Sequence, residues 1–205
     1  MNSGYTLYGR PGAGSIAPQI LLEELGTPYE IVWVDHDAAL TPAYRRICPT
    51  GKVPALGLLD GSAIFESAAI CIHLTDAHPG CGLAPAPGTA AHARYLQWML
   101  FLATGLYDAA LRIYYAPRFT AADDSSGVKS AGLAEYEGHL ALIEQHLQSG
   151  LLGDAVSAAD IYLFMLAGWH PEGEAAVRAR FPKVDALCAR IAARPTVKRV
   201  MAANA

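Results

Sequence analysis

Apolar residues recur with two different periods along this chain, and the change of period divides it. Near the start, "YTLYG" (5–9) and "YEIVWV" (29–34) carry aromatic and β-branched residues in short runs bounded by Gly and Pro, which predicts strands. Between them Ala17, Leu21 and Leu25 recur every four positions, with Ile16 and Ile20 beside them, which predicts a helix stopped by Gly26. Strand, helix, strand is a βαβ unit, and it implies parallel pairing with a right-handed crossover. In "VPALGLLDGSAIFES" (53–67) two apolar runs flank Asp60 and Gly61, a hairpin signal. Ser67 then reads as the N-cap of a helix over "AAICIHLTDA". From there on the pattern is helical: about 90–116, 128–149, 157–169, 173–180 and 183–202, interrupted near Pro182 and Pro195.

The expected organisation is an α/β domain over 1–78, a linker over 79–89 and an all-helical domain over 90–205. The linker falls in "HPGCGLAPAPGT" (78–89), which holds three Pro and three Gly. In "AVSAADIYLF", Ser157 and Asp160 form a capping box, with Val156 and Ile161 at the staple positions. The helix behind it is apolar on nearly every side and belongs in the core of the second domain.

Composition narrows the function classes. The chain has 205 residues, 53% of them hydrophobic and 17% charged, so it is long enough for a real core and too apolar for disorder. A net charge of −4 without any cluster of Lys and Arg argues against a nucleic-acid partner. "MNSGYTLYGR" lacks an apolar signal core, and no run of about 18 apolar residues occurs, so a soluble cytoplasmic protein with no membrane partner is expected. Cys48, Cys71, Cys81 and Cys188 form no Cys-x-x-Cys pair and no zinc-like spacing. Reduced, mostly buried thiols and no metal are expected.

Three stretches carry candidate chemistry. Val53-Pro54 opens a strand; taken locally it is an ordinary trans strand-edge proline, whereas a cis bond would leave the Val53 N–H and C=O free for a ligand. Glu66-Ser67 precedes a helix, where N–H groups and the positive dipole end suit a carboxylate. There Ser67 is either a plain cap or a ligand contact, and Glu66 is placed to pair with an ammonium. "PGAGSIAPQI" (11–20) puts glycines and Ser15 at a helix start, with Pro18 at N3, where the usual donor to the cap is missing. Ser15 is therefore a cap or an outward donor to a thiolate.

The layout resembles cytosolic glutathione transferases, a thioredoxin-like domain followed by an all-helical one. The resemblance rests on "LYGRPGAGSIAPQILLEELG" (7–26), "PTGKVPAL" (49–56), "IFESAAICIHL" (64–74) and "LLGDAVSAADIYLF" (151–164). The first stretch is most similar to the bacterial beta class, but Gly14 stands where that class has its cysteine. The resemblance implies that Val53, held by cis-Pro54, binds the cysteinyl backbone of glutathione, that Glu66 and Ser67 bind its γ-glutamyl end and that Lys52 lies near its glycyl end. Ser15 is the first choice for activating the thiol, Tyr8 the second, and Arg10 an electrostatic helper. Tyr107, Tyr114 and Trp169 would line the site of a hydrophobic electrophile. The apolar helix within 93–107 would form a homodimer. The expected function is detoxifying conjugation of glutathione to hydrophobic electrophiles. The alternatives are a non-catalytic relative acting as a binding or assembly module, and a thioredoxin-like disulfide reductase, which would need a thiol that residues 11–15 lack.

Overall fold

The computed structural model describes residues 4–205. The chain forms two compact units, one running to Pro87 and rejoined by Ala192–Ala205, the other spanning Gly88–Ile191. The sequence reading ran the second unit to the C-terminus. The last helix instead belongs to the first unit, because its Val197 and Val200 are buried and it packs on the first helix.

In the first unit β1 (Tyr5–Gly9), α1 (Ile16–Leu25) and β2 (Tyr29–Trp33) form the expected βαβ crossover. The short helices α2 (His36–Leu40) and α3 (Pro42–Arg45) lead to β3 (Ala55–Gly57), β4 (Ala63–Phe65) and α4 (Ser67–Asp76). The strand order is β2-β1-β3-β4. β1 is parallel to β2 and antiparallel to β3, and β3 is antiparallel to β4. Leu7, Ile20, Leu21, Leu56, Ile70 and Leu74 are fully buried. Gly26 ends α1 in the left-handed conformation at φ 61°, and its N–H returns to the carbonyls of the last turn. The closing helix α11 (Pro195–Ala203) is clasped to α1: Arg194 forks onto Glu24 in a bidentate pair, Thr196 donates to the same carboxylate, and Arg199 pairs with Glu23.

The second unit is helical. α5 (Ala90–Phe101) continues through one π-helical turn, Leu102–Leu106, into α6 (Tyr107–Tyr114), and the 3₁₀ turn Ala116–Phe119 follows. Then come α7 (Ser126–His146), α8 (Ala158–Ala167), α9 (Glu174–Arg180) and α10 (Pro182–Ala192). α6 lies close on α7 because Gly132 has no side chain; a Cβ there would meet Arg112 Cβ at 2.7 Å. α8 is buried at every residue except Phe164. Its Asp160 is wholly buried and accepts from Leu151 N–H at 2.8 Å and from Ser157 N–H and O–H at 2.7 Å each. That completes the predicted capping box.

Candidate glutathione site and acceptor wall

Strand direction brings three segments to one end of the sheet. β1 runs out at Gly9, and β3 begins opposite, with Tyr8 paired to Ala55. β4 finishes at the same end, Phe65 opposite Ala55. Arg10 to Ser15, Lys52 to Pro54 and Glu66 to Ser67 therefore leave the sheet together.

The Val53-Pro54 peptide is cis, against the local reading of the sequence as trans. Pro54 is buried, and neither the N–H nor the C=O of Val53 bonds to a described residue. The segment before it is fixed by Tyr44, whose hydroxyl donates to the Lys52 carbonyl at 2.8 Å. Burial pushes the Tyr44 phenol well above its ordinary range, so it remains a donor. Lys52 itself is exposed, and its ammonium forms no ion pair among the described residues.

Glu66, not Ser67, occupies the N-cap of α4, and its side chain makes no capping bond. Among the described residues it is the one non-glycine with positive φ, at 74°. Such a backbone costs about 1–3 kcal/mol in a residue with a Cβ. The twist shifts the helix start back by one residue, makes Ser67 the first helical position and leaves the Glu66 carboxylate exposed.

At α1 the Ser15 hydroxyl turns inward. Ser15 is fully buried; its hydroxyl donates to the Arg10 carbonyl and accepts from the Arg10 N–H, both at 3.1 Å. The turn doubles back on residue 10, and Gly9 admits the close approach, since a Cβ there would lie 2.8 Å from Ser15 Cβ. The hydroxyl proton is spent inside the turn. With no side-chain cap, and with Pro18 lacking an N–H, the amides of Gly14, Ser15 and Ala17 have no acceptor among the described residues. All three residues are buried. Buried amides without partners are rare and costly, so an acceptor from outside would be favoured at this turn.

Arg10 is also committed elsewhere, and Tyr8 is held by ring packing. Arg10 Nε donates to the Val34 carbonyl at 2.9 Å, and Nη1 lies 3.2 Å from His36 Nδ1. Tyr8 is half-buried, its ring edge-on to Tyr44 with centroids 5.9 Å apart, within a cluster that includes Val34, Ala39 and Cys48.

In the second unit Tyr107, Tyr114 and Trp169 come together. The Tyr107 and Trp169 rings meet nearly perpendicular with centroids 5.1 Å apart. Tyr114 is 52% exposed, and its hydroxyl donates to the Trp169 carbonyl at 2.6 Å. The ring remains available as a surface while the hydroxyl holds the backbone of Trp169. Among the described residues no group of three or more His, Cys, Asp or Glu is arranged to hold a metal, and no helix is long and apolar enough to cross a membrane. All four cysteines are free; Cys71 is fully buried, and burial pushes its thiol far up.

Sequence reasoning missed Tyr44 and the Arg194 clasp; it leaves backbone donors near Gly14 and Ser15 as the remaining candidates behind the Ser15 and Tyr8 hydroxyls. A signal for Tyr44 was present: Thr41-Pro42 is a cap followed by an N1 proline, and Thr41 Oγ1 accepts from Tyr44 N–H at 3.3 Å.

A βαβ unit continued by an antiparallel hairpin and a helix, with a cis-proline at the start of β3, is a thioredoxin-like fold; here an all-helical unit follows it. Residues 17–77 match the N-terminal domain of glutathione S-transferases, and residues 106–195 match the C-terminal domain. The chain is 28% identical to glutathione S-transferase GstA of Escherichia coli O157:H7, over 97% of this chain and 98% of that one. It is similar to the structure of a sphingomonad glutathione S-transferase complexed with glutathione, with 34% identity, a TM-score of 0.84 and coverage of 97% and 98%. The bacterial beta class glutathione S-transferase of Sphingomonas chungbukensis superposes with a TM-score of 0.83 at 31% identity, again over 97% and 98%. The chain belongs to the glutathione S-transferase family.

Proposed function

We propose that the protein is a glutathione transferase that holds the glutathione thiolate on backbone amides at the start of α1 and passes it to an apolar electrophile. Its nearest class is the bacterial beta class, with the cysteine of that class replaced by Gly14. The observation that carries this reading is the set of buried, unspent N–H groups of Gly14, Ser15 and Ala17, beside a Ser15 hydroxyl already closed on Arg10.

The tripeptide fits the end of the sheet. From β1 across β3 to β4 is two strand spacings, about 10 Å, and three extended residues span about 10 Å. The cysteinyl backbone would pair with the free N–H and C=O of Val53. The γ-glutamyl carboxylate would sit at Ser67 and the start of α4, its ammonium against Glu66, and the glycyl carboxylate near Lys52. A free thiol has a pKa of about 8.5, and lowering it by two units takes about 2.7 kcal/mol. Two N–H bonds to a thiolate supply about 1.5–3 kcal/mol each, and the helix start adds about 0.3–1 kcal/mol. No side-chain acid is required. The thiol proton leaves to solvent, the sulfur attacks the electrophilic carbon, a C–S bond forms, and the leaving group departs with its electron pair. Tyr107, Tyr114 and Trp169 form an apolar wall suited to that acceptor.

We place the protein in the cytoplasm as a homodimer. Four free thiols suit a reducing compartment. Leu100 on α5 and Leu142 on α7 are 57% and 40% exposed, apolar side chains available to a second copy. Analytical ultracentrifugation is expected to give twice the chain mass.

Calorimetric titration with millimolar glutathione and turnover of chlorodinitrobenzene test the reading; absence of both heat and conjugate refutes it. Tyr8→Phe is expected to change kcat/KM by less than about threefold. A loss of tenfold or more, about 1.4 kcal/mol, would move the activating role to Tyr8.

A further inference from the structure

Beneath the cis-proline segment lies a phenol that the proposed chemistry does not touch, and every residue around it belongs to the first unit. Thr41 Oγ1 accepts the Tyr44 N–H at 3.3 Å and Pro42 opens α3, so Tyr44 is placed by a local cap. Its buried ring packs with Val34, Ala39, Cys48 and Ala55, and Tyr8 and Val53 press on the same cluster. The chain then returns over that cluster. Gly51 N–H bonds to the Cys48 carbonyl at 2.9 Å, and Thr50 Oγ1 lies 3.1 Å from Cys48 Sγ. Gly51 makes the return at φ 64°, where a Cβ would sit 3.0 Å from the Ala39 carbonyl oxygen. From Lys52 to Pro54 one hydrogen bond ties the main chain to a described residue: the Tyr44 hydroxyl donates to the Lys52 carbonyl at 2.8 Å. Burial raises the phenol above its ordinary range, so the hydroxyl stays a donor.

The Lys52 carbonyl and the Val53 N–H belong to one planar peptide unit. That unit is trans, so its C=O and N–H point in opposite directions. A carbonyl drawn onto the buried Tyr44 hydroxyl therefore turns the Val53 N–H away from it, and no described residue accepts that N–H. We propose that Tyr44 is a positioning residue for glutathione: by holding the Lys52 carbonyl, its hydroxyl aims the Val53 N–H at the cysteinyl carbonyl of the tripeptide. The ring fills the cluster, and the hydroxyl sets the direction of a donor. Without that hydroxyl, rotation about ψ of Lys52 and φ of Val53 swings the peptide plane and the N–H with it. This inference rests on the glutathione reading and deepens it, since the residue it names acts through Val53.

The test uses S-methylglutathione, which has no sulfur proton to lose, and isotope-labelled protein followed by amide NMR, so that each N–H reports separately. In the wild-type protein the Val53 amide proton is expected to move downfield on saturation as it gains an acceptor. Tyr44→Phe keeps the ring and removes the hydroxyl. It should weaken binding at least about threefold and blunt the Val53 shift, while the Ser67 amide responds as in wild type. Replacing Tyr44 by p-aminophenylalanine returns a donor to the same place and should restore both, with thermal melting confirming that each protein is folded. Equal affinity and an equal Val53 shift in Tyr44→Phe overturn the inference while leaving glutathione binding intact. So does a Ser67 response blunted as much as that of Val53, which would mark a general loosening. A wild-type measurement stands apart from the variants: the Val53 amide should exchange with solvent unprotected in the free protein and become protected on binding. Protection already present without ligand overturns the inference. If S-methylglutathione does not bind the wild-type protein, the glutathione reading falls and this inference with it.

Discussion

Ser15→Ala separates a structural hydroxyl from a catalytic one. The substitution removes the atom that accepts from Arg10 N–H and donates to Arg10 C=O, each at 3.1 Å, in a residue with no solvent exposure. A hydrogen bond of this kind contributes about 0.5–1.5 kcal/mol net, and a buried group left unpaired costs about 1–3 kcal/mol. Arg10 is half-buried, and the expected loss is about 1–2 kcal/mol. For a chain of this size each kcal/mol moves the melting temperature by about 2–4 °C, so a drop of about 2–8 °C is expected by calorimetry. The amides of Gly14, Ser15 and Ala17 survive the change. The pKa of bound glutathione, followed by ultraviolet absorbance of the thiolate, is therefore expected to rise by less than about half a unit, under 0.7 kcal/mol. The opposite pattern refutes the reasoning: an unchanged melting temperature with a thiol pKa raised by one unit or more makes the hydroxyl the sulfur's donor.

Glu66→Gly should relieve the φ of 74° and raise stability by about 1 kcal/mol, while removing the carboxylate and weakening glutathione at least about tenfold; melting and calorimetry read the two effects separately. Glu24→Gln should destabilise by about 1–3 kcal/mol at pH 7, since Arg194 and Thr196 lose a charged acceptor. The Arg194 hydrogen bond is the largest influence holding Glu24 below its ordinary value. Its stabilisation is thus complete above the unfolded pKa of about 4.5 and lost as pH falls through the lower folded value, so denaturant titrations from pH 7 to 3 should show a shallower acid decline in the variant. Asp160→Ala strands the N–H groups of Leu151 and Ser157 and should cost at least about 3 kcal/mol, read as a shift in the urea midpoint. Tyr114→Phe should raise KM for chlorodinitrobenzene about two- to fivefold with glutathione KM unchanged, because it frees the Trp169 carbonyl and leaves the ring in place.

How far the sequence carried depends on the range of the force involved. α1 is legible because Ala17, Leu21 and Leu25 repeat and Gly26 stops the helix, and the Ser157–Asp160 box is legible because all its bonds lie within ten residues. The hairpin turn at Asp60-Gly61 is local in the same way: Leu58 N–H reaches the Ser62 carbonyl at 2.8 Å, and Ser62 N–H the Asp60 carboxylate at 2.9 Å. The inward turn of Ser15 rests on one fact that no local pattern contains. Pro18 correctly disables the cap, but the freed hydroxyl turns back to Arg10 because a doubled-back chain leaves that residue's polar groups to be satisfied. The place of α11 is equally hidden from local pattern. Pro195 marks its start, yet nothing near it in sequence says that Arg194 finds Glu24, 170 positions away.

The same doubling-back is what the proposed amide site for the thiolate depends on. A serine that capped α1 would satisfy one of the amides proposed for the sulfur; a serine turned back on Arg10 leaves Gly14, Ser15 and Ala17 unspent. Pro18 at the third helical position subtracts a donor at no loss, since that amide is the usual partner of the cap. At the other end of the proposed tripeptide site, Glu66 has a positive φ and its carboxylate makes no capping bond and is exposed, as the proposed ammonium contact requires. Both helix starts at this end of the sheet thus forgo the side-chain cap worth about 1 kcal/mol that an ordinary helix would use. Helices α7, α9 and α11 also lack a side-chain cap, so what sets this end of the sheet apart is the pairing of unspent amides at α1 with the positive φ of Glu66, and under the proposed function a ligand with an anion at each end would meet both.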